Sequence, residues 1–223
     1  MSVAVSLHPD LAGRVRLGAL TLAGLTVSSE NAALQGAIEA CGARLRERYQ
    51  ASPSSSVPGV EEARTLYKSL GLDPTKTRPS NEALLRRVLK GEALYRVNTL
   101  VDALNLCSLR EQLPFGLYDV VYVRPPVSLC LGASGAGYEG IRKGWVNVEA
   151  RPVLIDAEGP FGNPTSDSAR TCIRLETTTS LVIAYAPARM TRARLEGVLD
   201  ATATTLMSYC GGHEVERAVV PES

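Results

Sequence analysis

Residues 78–119 read RPSNEALLRRVLKGEALYRVNTLVDALNLCSLREQLPFGLYD and carry two helical signals in tandem. The first, SNEALLRRVLK, begins at Ser80, which suits an N-cap, and buries Leu84, Leu85, Val88 and Leu89 on one side before Gly91, a natural C′ residue. The second runs from about Asn98 to Gln112 and is apolar around nearly its whole circumference, with Leu100, Val101, Leu104, Leu106 and Cys107 on different sides. Little of such a helix should face water. Against that background Asn98, Asp102 and Asn105 recur at i, i+4 and i+7 and form one polar stripe. Burying two amides and a carboxyl is costly unless each finds hydrogen-bond partners. The stripe therefore faces either a structured polar network or a ligand.

On the N-terminal side, residues 3–6 and 15–28 are rich in Val, Leu and Thr, and the alternation in RLGALTLAGLTVS predicts strands, with Gly18 and Gly24 marking irregularities. Ser29 suits the N-cap of an amphipathic helix carrying Leu34, Ile38, Cys41, Leu45 and Tyr49 at helical spacing. Its last turn, RERYQ, reads as a solvated helix end rather than an RNA-binding patch. ASPSSSVPG, residues 51–59, has linker chemistry and is expected to form a mobile surface loop, followed by a short helix over residues 60–70. In the next connection, GLDPTKTRPS, Lys76 and Arg78 belong to a solvated loop, with phosphate contact as the other reading.

Beyond Asp119 the apolar period changes from near four to two. VVYVRPPVSLCLGAS predicts two strands around Pro125 and Pro126, and RPVLIDAEG a third ending in a turn. A loop containing Gly162, Asn163, Pro164, Ser166, Asp167, Ser168, Arg170 and Thr171 then leads into residues 180–185, a continuous apolar run of the kind found in buried strands. Within DSART, Arg170 either pairs with Asp167 in a capped turn or addresses a ligand. A helix over residues 191–209 follows, capped by Thr191 and ended by Gly211, and HEVERAVVPES reads as a tail over residues 213–223.

A chain of 223 residues, 45% hydrophobic, is long enough for one good core, and it is read as a single domain. A net charge of +1 provides no broad electrostatic footprint for a duplex, so DNA is not expected as a partner. The five cysteines are scattered and never paired as C-x-x-C, which argues against a disulfide framework or a zinc site and fits a reducing cytoplasm. No apolar run approaches the roughly 20 residues of a membrane span. Phosphate-loop, H-E-x-x-H, G-x-S-x-G and dinucleotide motifs are absent, and the two histidines, His8 and His213, stand near opposite ends. The remaining amides, carboxylates, hydroxyls and Arg170 suit recognition of a small polar ligand or the positioning of a water.

VNTLVDALNLCSLREQLPFGLYD resembles the B3/B4 domain of the β subunit of bacterial phenylalanyl-tRNA synthetase, in which the corresponding motif is V-N-x-x-V-D-V-T-N-Y-V-M-L-E-x-G-Q-P-L-H-A-F-D. The wider span, residues 60–210, looks like the free-standing B3/B4 proteins that lack a synthetase body. The resemblance implies a mixed α/β (α+β) fold with helices packed on a mixed β-sheet, and a cleft between the polar helix and the loop before the last core strand. In the synthetase this domain is the editing site that removes a wrongly attached amino acid from the 3′ end of tRNA. A free-standing version is thereby expected to be a trans-acting hydrolase that deacylates aminoacyl-tRNA by water attack on the terminal ester, with no metal or organic cofactor and no membrane partner.

Residue by residue, Val97, Asn98, Val101, Asp102, Asn105, Pro114 and Asp119 match the motif. Leu104 stands at the synthetase threonine, Gly116 at its editing histidine, and Ala184 near the glutamate that reads the tyrosine hydroxyl. The resemblance implies that Asn105 positions substrate or water, and that Arg170 binds the terminal phosphate or carbonyl oxygen. Asp167 orients Arg170 or holds the α-ammonium group. Asn98, Asp102, Gly116 and Thr171 are expected around the substrate, with helix anchoring the other reading of Asn98 and Asp102. No general base is assigned. The rival function is a non-catalytic module that keeps the cleft for an amino acid or aminoacyl-tRNA, and a weaker third is a structural subunit of a synthetase-like assembly.

Overall fold

The computed structural model describes residues 3–221. Strand β1 (Val5–Leu7) leads into β2 (Val15–Ala23), and the helices α1 (Ala32–Tyr49), α2 (Val60–Ser69), α3 (Ser80–Leu89) and α4 (Thr99–Glu111) follow. Then come β3 (Phe115–Asp119), β4 (Val127–Leu131), β5 (Gly137–Gly140), β6 (Gly144–Asn147), β7 (Pro152–Asp156) and β8 (Gly159–Gly162). The chain closes with β9 (Thr179–Pro187), α5 (Arg192–Cys210) and β10 (His213–Val220).

The apolar run of β9 explains the layering. A strand whose two faces are both apolar needs cover on both sides. Val182, Ala184 and Ala186 point into a core shared with α1, α4 and α5, whereas Leu181, Ile183 and Tyr185 point into a second core with Leu129, Leu154 and Phe161 of the outer sheet. Its neighbour β2 divides in the same way, with Leu20 and Leu22 toward the helices and Leu17 and Ala19 away from them. The central sheet, in the order β10-β2-β9-β3, is antiparallel throughout, and the outer sheet β1-β4-β7-β8 is mixed because β1 runs parallel to β4. Helices, central sheet and outer sheet make three layers. Hairpin β5-β6 is a separate two-stranded sheet, with Tyr138 of β5 packed on Val153 of β7.

Helix α4 is apolar all round because it packs against α1, α3, α5 and β3. Asn98 is its N-cap, with Oδ1 accepting from the Val101 amide at 3.0 Å. At the other end Gln112 takes a left-handed backbone, φ 54°, and its amide Nε2 donates to the Leu109 carbonyl at 2.7 Å. Ser108 Oγ donates to the Leu113 carbonyl, also at 2.7 Å. These bonds turn the chain sharply from α4 into β3 and so fix Asn105 and Phe115 relative to one another.

Several expectations are corrected. Asn31, not Ser29, caps α1, its Oδ1 accepting from the Leu34 amide. Ser80 does not cap α3: Pro79 takes that position, and Ser80 Oγ is buried without a partner. Residues 120–122 form a 3-10 turn held by Asp119 Oδ1 on the Val121 amide, so one strand rather than two flanks the proline pair. Gly18 lies in unbroken register opposite Ala184, and its missing side chain admits Leu199 of α5 to 3.0 Å from where a Cβ would stand. Residues 213–220 are a strand paired with β2, not a tail, and residues 222–223 lie outside the described residues. Exposure of His213, Glu214 and Val215 at the sheet edge gives that strand its polar, tail-like composition. Within residues 51–59, Ser54–Ser56 form a 3-10 turn and Val57 is buried. All five cysteines are free.

Candidate active site

A cavity of about 240 Å³ lies between α4 and the loop that precedes β9. Asn105 supplies its helical wall and Phe115 the β3 wall, with Ser80 from the start of α3. Ile141 and Lys143, from the tip between β5 and β6, close another side, and residues 163–167 form the rest. The stripe on α4 therefore divides. Asn98 caps the helix, and Asp102 is buried, taking the Val97 amide at 3.1 Å and Gln35 Nε2 at 3.4 Å. Burial pushes the Asp102 carboxyl up, against the Val97 amide, the Gln35 side chain and the charge of Arg96. Only Asn105, half-buried, reaches the cavity.

The loop owes its shape to Asn163, whose Oδ1 accepts from the amides of Thr165 at 2.8 Å and Ser166 at 2.9 Å. Its back rests on tyrosines. Tyr67 donates its hydroxyl to the Pro164 carbonyl at 2.7 Å, and Tyr138 donates to the Ser166 carbonyl at 2.5 Å. The hydroxyls of Tyr118 and Tyr185 lie 3.3 Å apart. Burial raises all four phenols well above their ordinary range, so they stay protonated and neutral.

Asp167 sits at the centre of this group. The residue is half-buried, but its Oδ1 is sealed from solvent and has no hydrogen-bond partner. Desolvation pushes its carboxyl up to about 7, while the Tyr118 hydroxyl, the Leu117 amide and the charge of Lys143 act in the opposite direction. A carboxyl poised near neutrality with one unpartnered oxygen, on a residue lining the same small cavity as an amide, has the properties required of a general base or acid. Burial could be guessed from the flanking strands, but the tyrosines that create this environment come from α2, β3, β5 and β9 and leave no local signal. Ser80, Lys143 and Asn163 likewise carry no local signal that marks them as site residues.

The other expected site residues are placed elsewhere. Arg170 turns away from Asp167 and grips Asp156 through two bonds of 2.9 and 3.0 Å, with Glu158 at 2.8 Å and the Tyr122 carbonyl at 2.7 Å. Thr171 is buried, its Oγ1 3.0 Å from Ser168 Oγ and its carbonyl accepting from the Asp119 amide. Gly116 pairs with Ile183 in the sheet, and a Cβ there would meet the Tyr118 hydroxyl at 2.2 Å. That hydroxyl thus fills the space a larger residue at 116 would need. Leu104 and Ala184 are buried in the helix-side core. Among the described residues no group of three or more His, Cys, Asp or Glu side chains could hold a metal ion, and no helix is long and apolar enough to cross a membrane.

A mixed α/β domain with a polar cavity between one helix and one loop is what the geometry defines. The chain belongs to the B3/4 domain family, which matches residues 62–208. Among solved structures it is similar to an N-terminal fragment of the phenylalanyl-tRNA synthetase β subunit from Pyrococcus horikoshii, at 12% sequence identity and a TM-score of 0.50. All of this chain is covered, against 55% of that fragment, so the chain spans about half the fragment's length. No curated protein matches the sequence at a significant level.

Proposed function

We propose that this protein hydrolyses the ester between an amino acid and the 3′-terminal ribose of a misacylated tRNA, acting in trans on aminoacyl-tRNA in the cytoplasm. The observation that carries the reading is Asp167, a carboxyl with an unpartnered oxygen held near neutrality on a residue that lines the same cavity as Asn105. Ester hydrolysis at such a site needs an oriented water, a group to take its proton and a donor for the developing oxyanion. Ionised Asp167 takes the proton as water attacks the carbonyl carbon. The tetrahedral intermediate collapses, releasing the amino acid, and the ribose oxygen leaves with a proton. The Asn105 amide donates to the carbonyl oxygen or holds the water. Lys143, whose Nζ lies 3.3 Å from Ser166 Oγ at the rim, adds positive charge near the same oxyanion. Arg170 and Thr171 support the loop in this scheme rather than touching substrate, and Asn98 and Asp102 hold the start of α4.

A cavity of about 240 Å³ is below the size of drug-binding pockets and suits one small amino acid. One specific observation favours a second reading, a non-catalytic module: Leu104 and Gly116 place no polar side chain where the resembling synthetase motif has threonine and histidine, and Tyr118 occupies the space beside Gly116. Single-turnover deacylation separates the two. Hydrolysis that is lost in Asp167→Asn and Asn105→Ala supports the enzyme, whereas saturable binding of aminoacyl-tRNA without release supports the module.

A further inference from the structure

A second cavity is larger than the one just described. A cleft of about 980 Å³ lies where the ends of α1 and α4 meet the turns before α2 and α5. Its floor is apolar, from buried Cys41, Val57 and Leu109, with Tyr49 and Met190 half-buried beside them. Its rim carries Arg44, Arg48, Arg110, Arg189 and Arg194 against Glu47, Glu62 and Glu111. Among the described residues, Arg44, Arg48, Arg110 and Arg194 form no salt bridge, whereas Arg189 meets Glu62 at 4.0 Å. In a chain of net charge +1 this is a local concentration of guanidinium groups outside any salt bridge, with Arg48 over the Tyr49 ring at 5.1 Å and Arg110 donating to Thr205 Oγ1 at 3.5 Å. A further acceptor stands in the wall: Gln112 is 5% exposed, and its Oε1 has no hydrogen-bond partner.

We infer that this cleft binds a single strand of RNA, with phosphates on the rim arginines and a base against the apolar floor. The combination fits that ligand in each part. Guanidinium groups match phosphate oxygens in paired geometry, and bases stack on aromatic faces without regard to sequence. The cleft also lies next to the smaller cavity. Asn105 and Gln112 are seven residues apart on one face of α4, about 10 Å along the helix axis, and Asn81, which follows Ser80 of the smaller cavity, donates its amide to the Gln112 carbonyl at 2.9 Å. Resting on the proposed hydrolase reading, the inference makes the cleft the track for the strand that leads to the aminoacylated end. It also gives the RERYQ turn of α1 a role beyond solvation.

The test is fluorescence anisotropy with a labelled, unacylated single-stranded RNA ending in CCA, measured from low to moderate salt, for wild type, Arg44→Ala/Arg48→Ala and Arg110→Ala. These side chains are exposed, and unchanged circular dichroism and Tm establish that the variants fold. The double variant is expected to lose affinity about 10-fold or more and to lower the slope of log K against log salt by about 1.4, at roughly 0.7 per phosphate contact on a single strand. Wild-type affinity and slope in all variants would overturn the inference, as would an absence of binding by wild type at low salt or tighter binding of poly-glutamate than of RNA. Hydrolysis is read separately. If RNA binds through the cleft but no misacylated tRNA is deacylated, the strand site stands and the hydrolase reading fails. If tRNA is deacylated with the same KM by the arginine variants, the hydrolase stands and the strand site fails.

Discussion

In the proposed hydrolysis Asp167 takes the proton of the attacking water, and its environment makes two measurable demands. Removing a general base slows hydrolysis about 10²- to 10⁴-fold, so Asp167→Asn should fall by that order in single-turnover deacylation. After subtraction of the spontaneous rate, wild-type activity should rise as pH increases through about 7, and the variant should lack that limb. Stability runs the opposite way. The unfolded chain loses this proton near pH 4, but the folded chain keeps it to about 7, so the native state binds more protons between those values. Tm should therefore decline as pH rises from about 4 to about 7 and level off above it, and Asp167→Asn should flatten this dependence in scanning calorimetry. Gly116 is constrained in a different sense. A Cβ there lands 2.2 Å from the Tyr118 hydroxyl, itself buried behind Phe161 in an edge-to-face contact at 4.9 Å. Gly116→Ala is expected to cost about 1–3 kcal/mol by urea denaturation, as overpacking does. Adding Tyr118→Phe should recover part of it, and equal loss in both backgrounds would show that the hydroxyl is not the obstacle.

Among the elements, α3 depends on a buried ion pair. Glu82 is fully buried and takes Arg64 of α2 through bonds of 2.7 and 2.8 Å, with Arg78 at 3.9 Å and Ser54 Oγ at 3.4 Å. Arg64→Ala leaves that carboxylate without its main partner, which should cost about 3 kcal/mol. Because α3 begins at the cavity with Ser80, the same change should weaken substrate binding; loss of stability below about 1 kcal/mol would mean that Arg78 takes over. The sequence made the helices and β9 legible, because their apolar spacing repeats over many residues and their cores lie on predictable faces. It misled at 213–220, where an edge strand exposes one side and so carries Glu214, Glu216 and Arg217 like a tail. It misled again at Ser80, where a good capping residue follows a proline that already takes the cap.

For the molecule as a whole, the three layers bring α4 and the loop before β9 together from positions some sixty residues apart in sequence, and that juxtaposition is what creates the cavity. Asn105 stands out in the sequence as an amide on an apolar helix and Asp167 as part of a polar loop ahead of a buried strand, and the two residues line one cavity. The partner of Arg170 was not legible. Asp167 lies three residues away and looks like its natural counter-charge, yet Asp156 and Glu158 at the β7-β8 turn hold the guanidinium. Pairing of distant strands decides which carboxylate is near, and this leaves Asp167 without the Arg170 guanidinium as a counter-charge. The chain belongs to the B3/4 family and shares its fold with the synthetase fragment, and the substrate of this carboxyl is the one proposed above. The most direct test is amino acid release from a panel of misacylated tRNAs by wild type, Asn105→Ala and Asp167→Asn, each confirmed to be folded. Turnover of one or a few aminoacyl-tRNA pairs by wild type, lost in both variants, is the expected result. Release at no more than the spontaneous rate across the whole panel would contradict it.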